Sequence, residues 1–401
     1  MKRVTATLLI GTTLAIGATA LAESQPPAIT GSPVITTPAL LAWAPDDTSW
    51  KGADLTEPTA KGMDLHGTIE RCGDVDVVLS TAGNYHMALK EIWSVFRTKL
   101  GMSKVNAVYT TSPPVAMQQV KDGGVRVGNL ELGCRPSVVV ATEKYLKKLE
   151  TAGIIGSARV PVYESRGVAL LVKKGNPGHI TSVWDLLKPN VHVVTPNPNT
   201  GEPVAAYAKA LYLAAAANPN GPKGATPEDL YNSIFNEPMC DFSRDSCNPK
   251  WYAGVRIHHR EVPRAVAYAT MKKPDDIMVG LLFYHLALDA TRKFPDTFDM
   301  IPLTGTVNNP TPVDGTPLNP HFLAFVKGSW SKTQEMARMR LLDAYTSPEA
   351  TRIYESAGMH RPAGVPLDAS GAIRTVVTKT GPHVVTGRHA VLEMANALRV
   401  E

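Results

Sequence analysis

Between Val75 and Arg292, short runs of branched apolar residues alternate with stretches whose apolar positions recur at helical spacing. Val75 to Leu79 runs into the turn Ser80-Thr81-Ala82-Gly83-Asn84, after which Leu89, Ile92, Trp93, Phe96 and Leu100 mark one helical face. Val105 to Tyr109 is the next predicted strand, and Thr110-Thr111-Ser112 opens a predicted helix with Pro113 and Pro114 in its first turn. Val125 to Leu132 then precedes a helix over Thr142 to Thr151 that is expected to bury Tyr145, Leu146 and Leu149. Three βα units in succession argue for a mostly parallel sheet with helices on its faces.

A second set follows. Gly167 to Lys173 (GVALLVK) is a strand, and Trp184, Leu186 and Leu187 lie on a short helix. Strand Val191 to Thr195 passes through Pro196 to Glu202 into the Ala-rich helix Pro203 to Ala217. Strands Val255 to Ile257 and Ile277 to Phe283 alternate with helices Val262 to Ala269 and Leu286 to Arg292. Phe298 to Leu303 and His321 to Val326 add strands, and Ser331 to Tyr345 is a helix. The expected architecture is α/β with two lobes, each a mostly parallel sheet flanked by helices. Residues 72–160 plus 305–362 form lobe one and 161–304 lobe two, joined by hinge crossovers. Residues 23–71, rich in Pro, Thr, Gly and Asp, read as an irregular N-terminal extension, and 363–401 as a tail without a clear pattern.

Residues 1–22 read as a signal peptide: Lys2 and Arg3 precede the apolar stretch Leu8 to Leu21, and Ala20-Leu21-Ala22 offers small residues for cleavage before Glu23. That predicts a periplasmic protein. The net charge of +5, about +3 once Lys2 and Arg3 leave, is too mild and too evenly spread to argue for nucleic acid. Four cysteines in an exported chain read as two disulfides, Cys240 with Cys247 across the loop DFSRDS and Cys72 with Cys134; no CxxC pair favours a metal site.

Three stretches carry a family resemblance: VVLSTAGNYH (Val77 to His86), VALLVKKGNP (Val168 to Pro177) with the Trp-Asp-Leu-Leu helix after it, and LLDAYTSPEATRIYESAGM (Leu341 to Met359). Over roughly residues 73 to 360 the chain resembles the type II periplasmic solute-binding proteins, in particular the molybdate-binding branch. The resemblance implies a monomeric receptor that captures a small anionic ligand between its lobes and hands it to the membrane permease of an ABC transporter. It departs from that branch at HHREVP (His258 to Pro263), where a plainer turn is usual. FYH (Phe283 to His285) lies about where the family places a ligand-facing Tyr, matching Tyr284 or, one residue earlier, Phe283.

Ligands of open α/β sheets collect beyond the carboxyl ends of strands, where unpaired N–H groups at helix N-termini favour anions. Lobe one offers Ser80, Thr81 and Asn84, then Thr111 and Ser112; lobe two offers Asn199, Thr200 and Gly201, then Arg260 and Tyr284. Any one such residue before a helix more often serves as a plain N-cap, whereas the set at strand ends favours a ligand. Arg260 and Glu261 could equally pair with other side chains at the surface. The alternative is a metal or metal-chelate carrier using His86, His258, His259 and His285. Against it, no two of these show i, i+4 spacing, and adjacent His258 and His259 point oppositely on a strand. An exported α/β enzyme is the remaining class; no GxSxG, HExxH, GxxxxGK[ST] or GxGxxG motif supports it, and no cofactor is implied.

Overall fold

The computed structural model describes residues 64–67, 75–82, 85–112, 120, 125–127, 130–132, 135–196, 204–235, 251–252, 262–272, 274–386 and 389–400. The leader, most of the N-terminal extension and all four cysteines lie outside them. Regular structure starts at β1 (Asp64–Gly67) and β2 (Val77–Ala82) and passes into α1 (His86–Ser94). It continues through β3 (Ala107–Ser112), β4 (Val125–Val127), β5 (Leu130–Leu132), β6 (Val138–Thr142), α2 (Glu143–Thr151) and β7 (Val160–Ser165). Beyond Arg166 and Gly167 come β8 (Val168–Lys173), β9 (Val191–Val194), α3 (Val204–Ala216), α4 (Pro227–Phe235) and β10 (Trp251–Tyr252). They are followed by α5 (Val262–Lys272), β11 (Ile277–Phe283), α6 (Tyr284–Lys293) and β12 (Phe298–Pro302). The chain then supplies β13 (His321–Phe325), α7 (Lys332–Thr346), α8 (Pro348–Ser356), β14 (Met359–His360), β15 (Thr375–Thr378), β16 (Gly381–Val384) and α9 (Ala390–Val400).

Two sheets organise these elements. Lobe one holds seven strands in the order β1-β3-β2-β6-β13-β7-β14, and lobe two holds five in the order β10-β9-β11-β8-β12. The α/β, two-lobed architecture is the one expected, but antiparallel ladders are more common than the sequence suggested. Among the described residues, the parallel pairs are β2–β3 and β2–β6 in lobe one and β9–β10 and β9–β11 in lobe two. The difference arises at the crossings: β7, β8, β12 and β13 enter or leave a lobe directly, without a helical crossover to reverse direction, and therefore pair antiparallel.

Three boundaries move. β7 pairs with β13 and β14, so the crossing falls at Arg166 and Gly167 rather than before Pro161. Within Val125 to Leu132 the structure has two short antiparallel strands, β4 and β5, instead of one, and the sheet strand is β6. Thr110 to Ser112 belong to β3 instead of opening a helix, because register with β1 and β2 carries their β-branched residues to the strand end. Leu146 and Leu149 are buried as expected, while Tyr145 is half-buried beneath the Lys148 ammonium.

Each lobe has its own core. In lobe two, β8, β9 and β11 contribute near-continuous buried runs, as a sheet covered on both faces requires, packed by Tyr207, Leu211, Leu230 and Val266. In lobe one, Val77, Leu79, Val138, Val140 and Val160 meet Leu89, Ile92, Leu341 and Tyr345, while Val139 and Ala324 face Leu146 and Leu149 on the other side. Local chemistry starts the closing helices: Ser331 and Gln334 form a reciprocal cap on α7, and Ser347 accepts from the Ala350 N–H with Pro348 at the first position of α8. Residues 363–386 and 389–400 are structured. Ile373, Val376, Met394, Ala395 and Leu398 are buried in the lobe-one core. Just before them, buried Arg361 donates to the carbonyls of Val162 and Tyr345 and to Thr351 Oγ1, tying this segment to β7, α7 and α8.

Candidate functional site

The parallel pairing brings the carboxyl ends of β2 and β3 together. In the β2–β3 ladder Thr81 lies beside Thr111 and Ala82 beside Ser112, so both strands end at one edge. Alternation puts Thr81 on the face of Val77 and Leu79, toward the main core, and there it shares a hydrogen bond with the Tyr85 hydroxyl. Tyr85 packs against Tyr163 at 4.3 Å between ring centres, and Tyr163 stacks on His321 at 4.6 Å. Burial, reinforced by the neighbouring tyrosines, pushes the Tyr85 hydroxyl well above its usual range, so it remains a neutral donor or acceptor. Thr81 thus fastens the start of α1. Ser80 lies on the opposite face and is also buried.

Tyr284 opens α6. Its hydroxyl donates to the Val307 carbonyl at 2.5 Å, its N–H donates to the Gly167 carbonyl, and the Arg166 guanidinium stands 5.8 Å from its ring centre. It therefore braces both crossings between the lobes. Asn84, Asn199, Thr200, Gly201, Arg260, His258 and His259 lie outside the described residues, as do the side chains of Thr111 and Ser112.

The two described histidines of the candidate set each reach across the lobes. His285 Nδ1, on α6 of lobe two, is 3.1 Å from Ser165 Oγ on β7 of lobe one. His86 Nε2, on α1 of lobe one, is 3.5 Å from Asp289 Oδ2 on α6. Burial alone would raise the Asp289 carboxyl, but His86 and Lys293, whose ammonium is 3.2 Å away, overcome it and hold the group down at about 2. Arg292 Nη1 donates to the Ser356 carbonyl at 2.6 Å, and Met87 packs against both cores. Among the described residues, no three His, Cys, Asp or Glu side chains come together as a metal site.

Lobe two adds a residue the sequence reading passed over. Thr195, directly after β9, is fully buried, and its Oγ1 has no hydrogen-bond partner. The signal available was its place between the VHVV run and Pro196, at the end of a predicted strand.

Two α/β lobes are joined by two direct crossings, and in lobe one the strands β2 and β3 end together at one edge. The chain belongs to the family of bacterial extracellular solute-binding proteins, whose pattern matches residues 77–360. No curated protein matches it in sequence. Among solved structures, it is similar to the sulfate-binding protein SubI from Mycobacterium tuberculosis (15% identity, TM-score 0.46, covering 81% of this chain and 91% of that one). It is also similar to the substrate-binding domain of a molybdenum ABC transporter protein from Clostridium difficile (13%, 0.44, 71% and 98%). A third is the periplasmic molybdate-binding protein of Azotobacter vinelandii (15%, 0.42, 71% and 99%).

Proposed function

We propose that this solute-binding protein is the periplasmic receptor of an ABC transporter, capturing a molybdate-like oxyanion between its lobes and delivering it to the membrane permease. The observation that carries the reading is the β2–β3 register, which aligns Thr81 with Thr111 and Ala82 with Ser112 at one sheet edge. Ser80, Asn84, Asn199, Thr200, Gly201 and Arg260 are the further proposed donors, whereas the Tyr284 hydroxyl is given to the Val307 carbonyl and the Thr81 hydroxyl is bonded to Tyr85. A tetrahedral oxyanion suits neutral hydroxyls and helix N-termini, which supply several donors without a full cation. The reading of residues 1–22 as a cleaved signal supports the compartment. The metal alternative loses support where it can be inspected, because His86 and His285 are each engaged with a side chain of the opposite lobe.

Thermal unfolding of the metal-stripped mature protein tests this. Molybdate, tungstate, sulfate, phosphate, small carboxylates, Zn²⁺, Cu²⁺ and Fe³⁺ are compared. At a hundred times its dissociation constant, the true ligand adds about 2.7 kcal/mol to the native state, a shift of several degrees. An oxyanion should raise the midpoint. A shift with metals alone would refute the oxyanion reading.

A further inference from the structure

Lobe one carries a cavity of about 510 Å³ whose lining includes Lys147, Glu150, Ser157, Arg159, Lys327 and Lys379. These residues come from α2, the segment before β7, the chain just after β13, and the turn between β15 and β16. Backbone hydrogen bonds hold the segments together. The Lys327 N–H donates to the Ile154 carbonyl at 2.8 Å, and Arg159 and Val377 exchange N–H donors at 2.9 and 2.8 Å. The Arg135 guanidinium adds a bond to the Lys327 carbonyl at 2.6 Å. The rim is therefore set before any ligand arrives, which lowers the ordering cost of binding.

The cavity lies far from the crossings between the lobes. Arg159 immediately precedes β7, and the 6 residues of that strand put about 20 Å between it and the crossing at Arg166. Lys327 follows β13 at the end where Phe325 pairs with Val138, the first residue of β6. That is the amino end of the parallel strands, opposite the carboxyl ends of β2 and β3.

Its charges do not cancel. Arg159 gives Nη2 to Glu150 at 3.1 Å and Nε to the Ser157 carbonyl at 3.2 Å, and Lys147 pairs with Glu143 at 3.4 Å. Lys327 and Lys379 are exposed and have no acidic partner among the described residues. A concave site with two uncompensated cations suits a group that carries two negative charges and several acceptor oxygens. Phosphate and phosphomonoesters are such groups, with a charge of about −1.5 to −2 near neutral pH.

We propose that this cavity is a second anion site, which takes a phosphate group at the end of lobe one away from the crossings, borne by a free solute or by the headgroup of an anionic lipid. Lys327 and Lys379 supply its uncompensated charge, and the Arg159–Glu150 pair keeps the lining in place. Two double variants test it. One combines Lys327→Gln with Lys379→Gln. The other, equal in charge, combines Lys144→Gln with Lys148→Gln, two exposed lysines of α2 outside the cavity lining. Each is titrated with inorganic phosphate, followed through the amide resonances of Ile154, Arg159 and Lys327. Each is also sedimented with phosphatidylcholine vesicles that contain or lack phosphatidic acid.

Phosphate should shift those three amides in the wild type and in the Lys144/Lys148 variant, and bind roughly tenfold more weakly to the Lys327/Lys379 variant. Sedimentation with phosphatidic acid vesicles alone, lost in that same variant, would assign the phosphate to a lipid headgroup. If neither probe engages these residues, the proposal is overturned. Equal loss in both double variants would overturn it too, by showing diffuse attraction to a basic surface instead of a site.

Discussion

Asp289 shows what one residue contributes at the seam between the lobes. Its carboxylate faces His86 of lobe one and Lys293 of its own helix, and titrates at about 2 against an ordinary 3.8. A carboxyl depressed on folding stabilises the native state fully above its unfolded pKa and loses that contribution as pH falls through its folded value. The window here runs from about pH 4 down to about 2. Asp289→Asn should therefore lower stability at neutral pH by on the order of 2 kcal/mol and flatten the acid limb in that window. Urea midpoints measured from pH 2 to 7 check this; parallel curves for variant and wild type would refute it. At this scale the sequence was only partly legible. Ser80 and Thr81 could be placed at a strand end, and period two assigns them opposite faces. The partner of Thr81, Tyr85, stands only four residues on, but its ring is held in place by Tyr163 on β7, which no local pattern shows. Likewise, nothing local shows that His86 and His285 are engaged across the lobes.

Among the elements, α6 joins the two halves of the molecule. It starts on the lobe-two strand β11, yet its residues touch β7, α1 and the end of α8. Gly358 packs closely against this helix. Its φ is +79°, and an added Cβ would lie 2.8 Å from Leu288 Cδ2 and 3.0 Å from Tyr284 Cε1. Gly358→Ala combines a left-handed backbone penalty of about 1–2 kcal/mol with this clash. It should lower the unfolding midpoint by several degrees and open the lobes, seen as a larger radius of gyration in solution scattering; an unchanged midpoint and radius would count against α6 as the contact surface. Elements with a strong period were legible: α2, α3, α7 and the buried runs of β8 and β11 fall close to where periodicity puts them. Those set by partners were missed. β4 and β5 read as one strand because their apolar residues nearly adjoin in the sequence, and β7 (VPVYES) is too mixed in pattern to announce itself. The closing helix α9, which turns Met394, Ala395 and Leu398 to the core with Val391 and Ala397 packed beside them, was overlooked.

On the scale of the whole molecule, lobe two is one continuous insertion, β8 through β12, within a lobe one assembled from both sides of it. That order was legible from the alternation and the resemblance; that β13 would lie between β6 and β7 was not, since pairing across an insertion leaves no local mark. Lobe two draws its sheet from one uninterrupted stretch of chain, its longest closures joining β8 to β11 and β12, whereas lobe one must close the longer loop from Thr142 to His321 before its centre exists. Pulse-labelling hydrogen exchange during refolding should protect the amides of β8, β9 and β11 before those of β6, β7 and β13. Simultaneous protection would contradict this order. For a chain made from its N-terminus onward, the consequence is an interval of exposure. Until residue 325 has been delivered, β6 and β7 each present an unpaired edge rich in valine, and such edges recruit strands from other chains. The hazard in producing this protein thus lies in the last stretch of synthesis, when most of the polypeptide is already present and the strand that would seal lobe one is not.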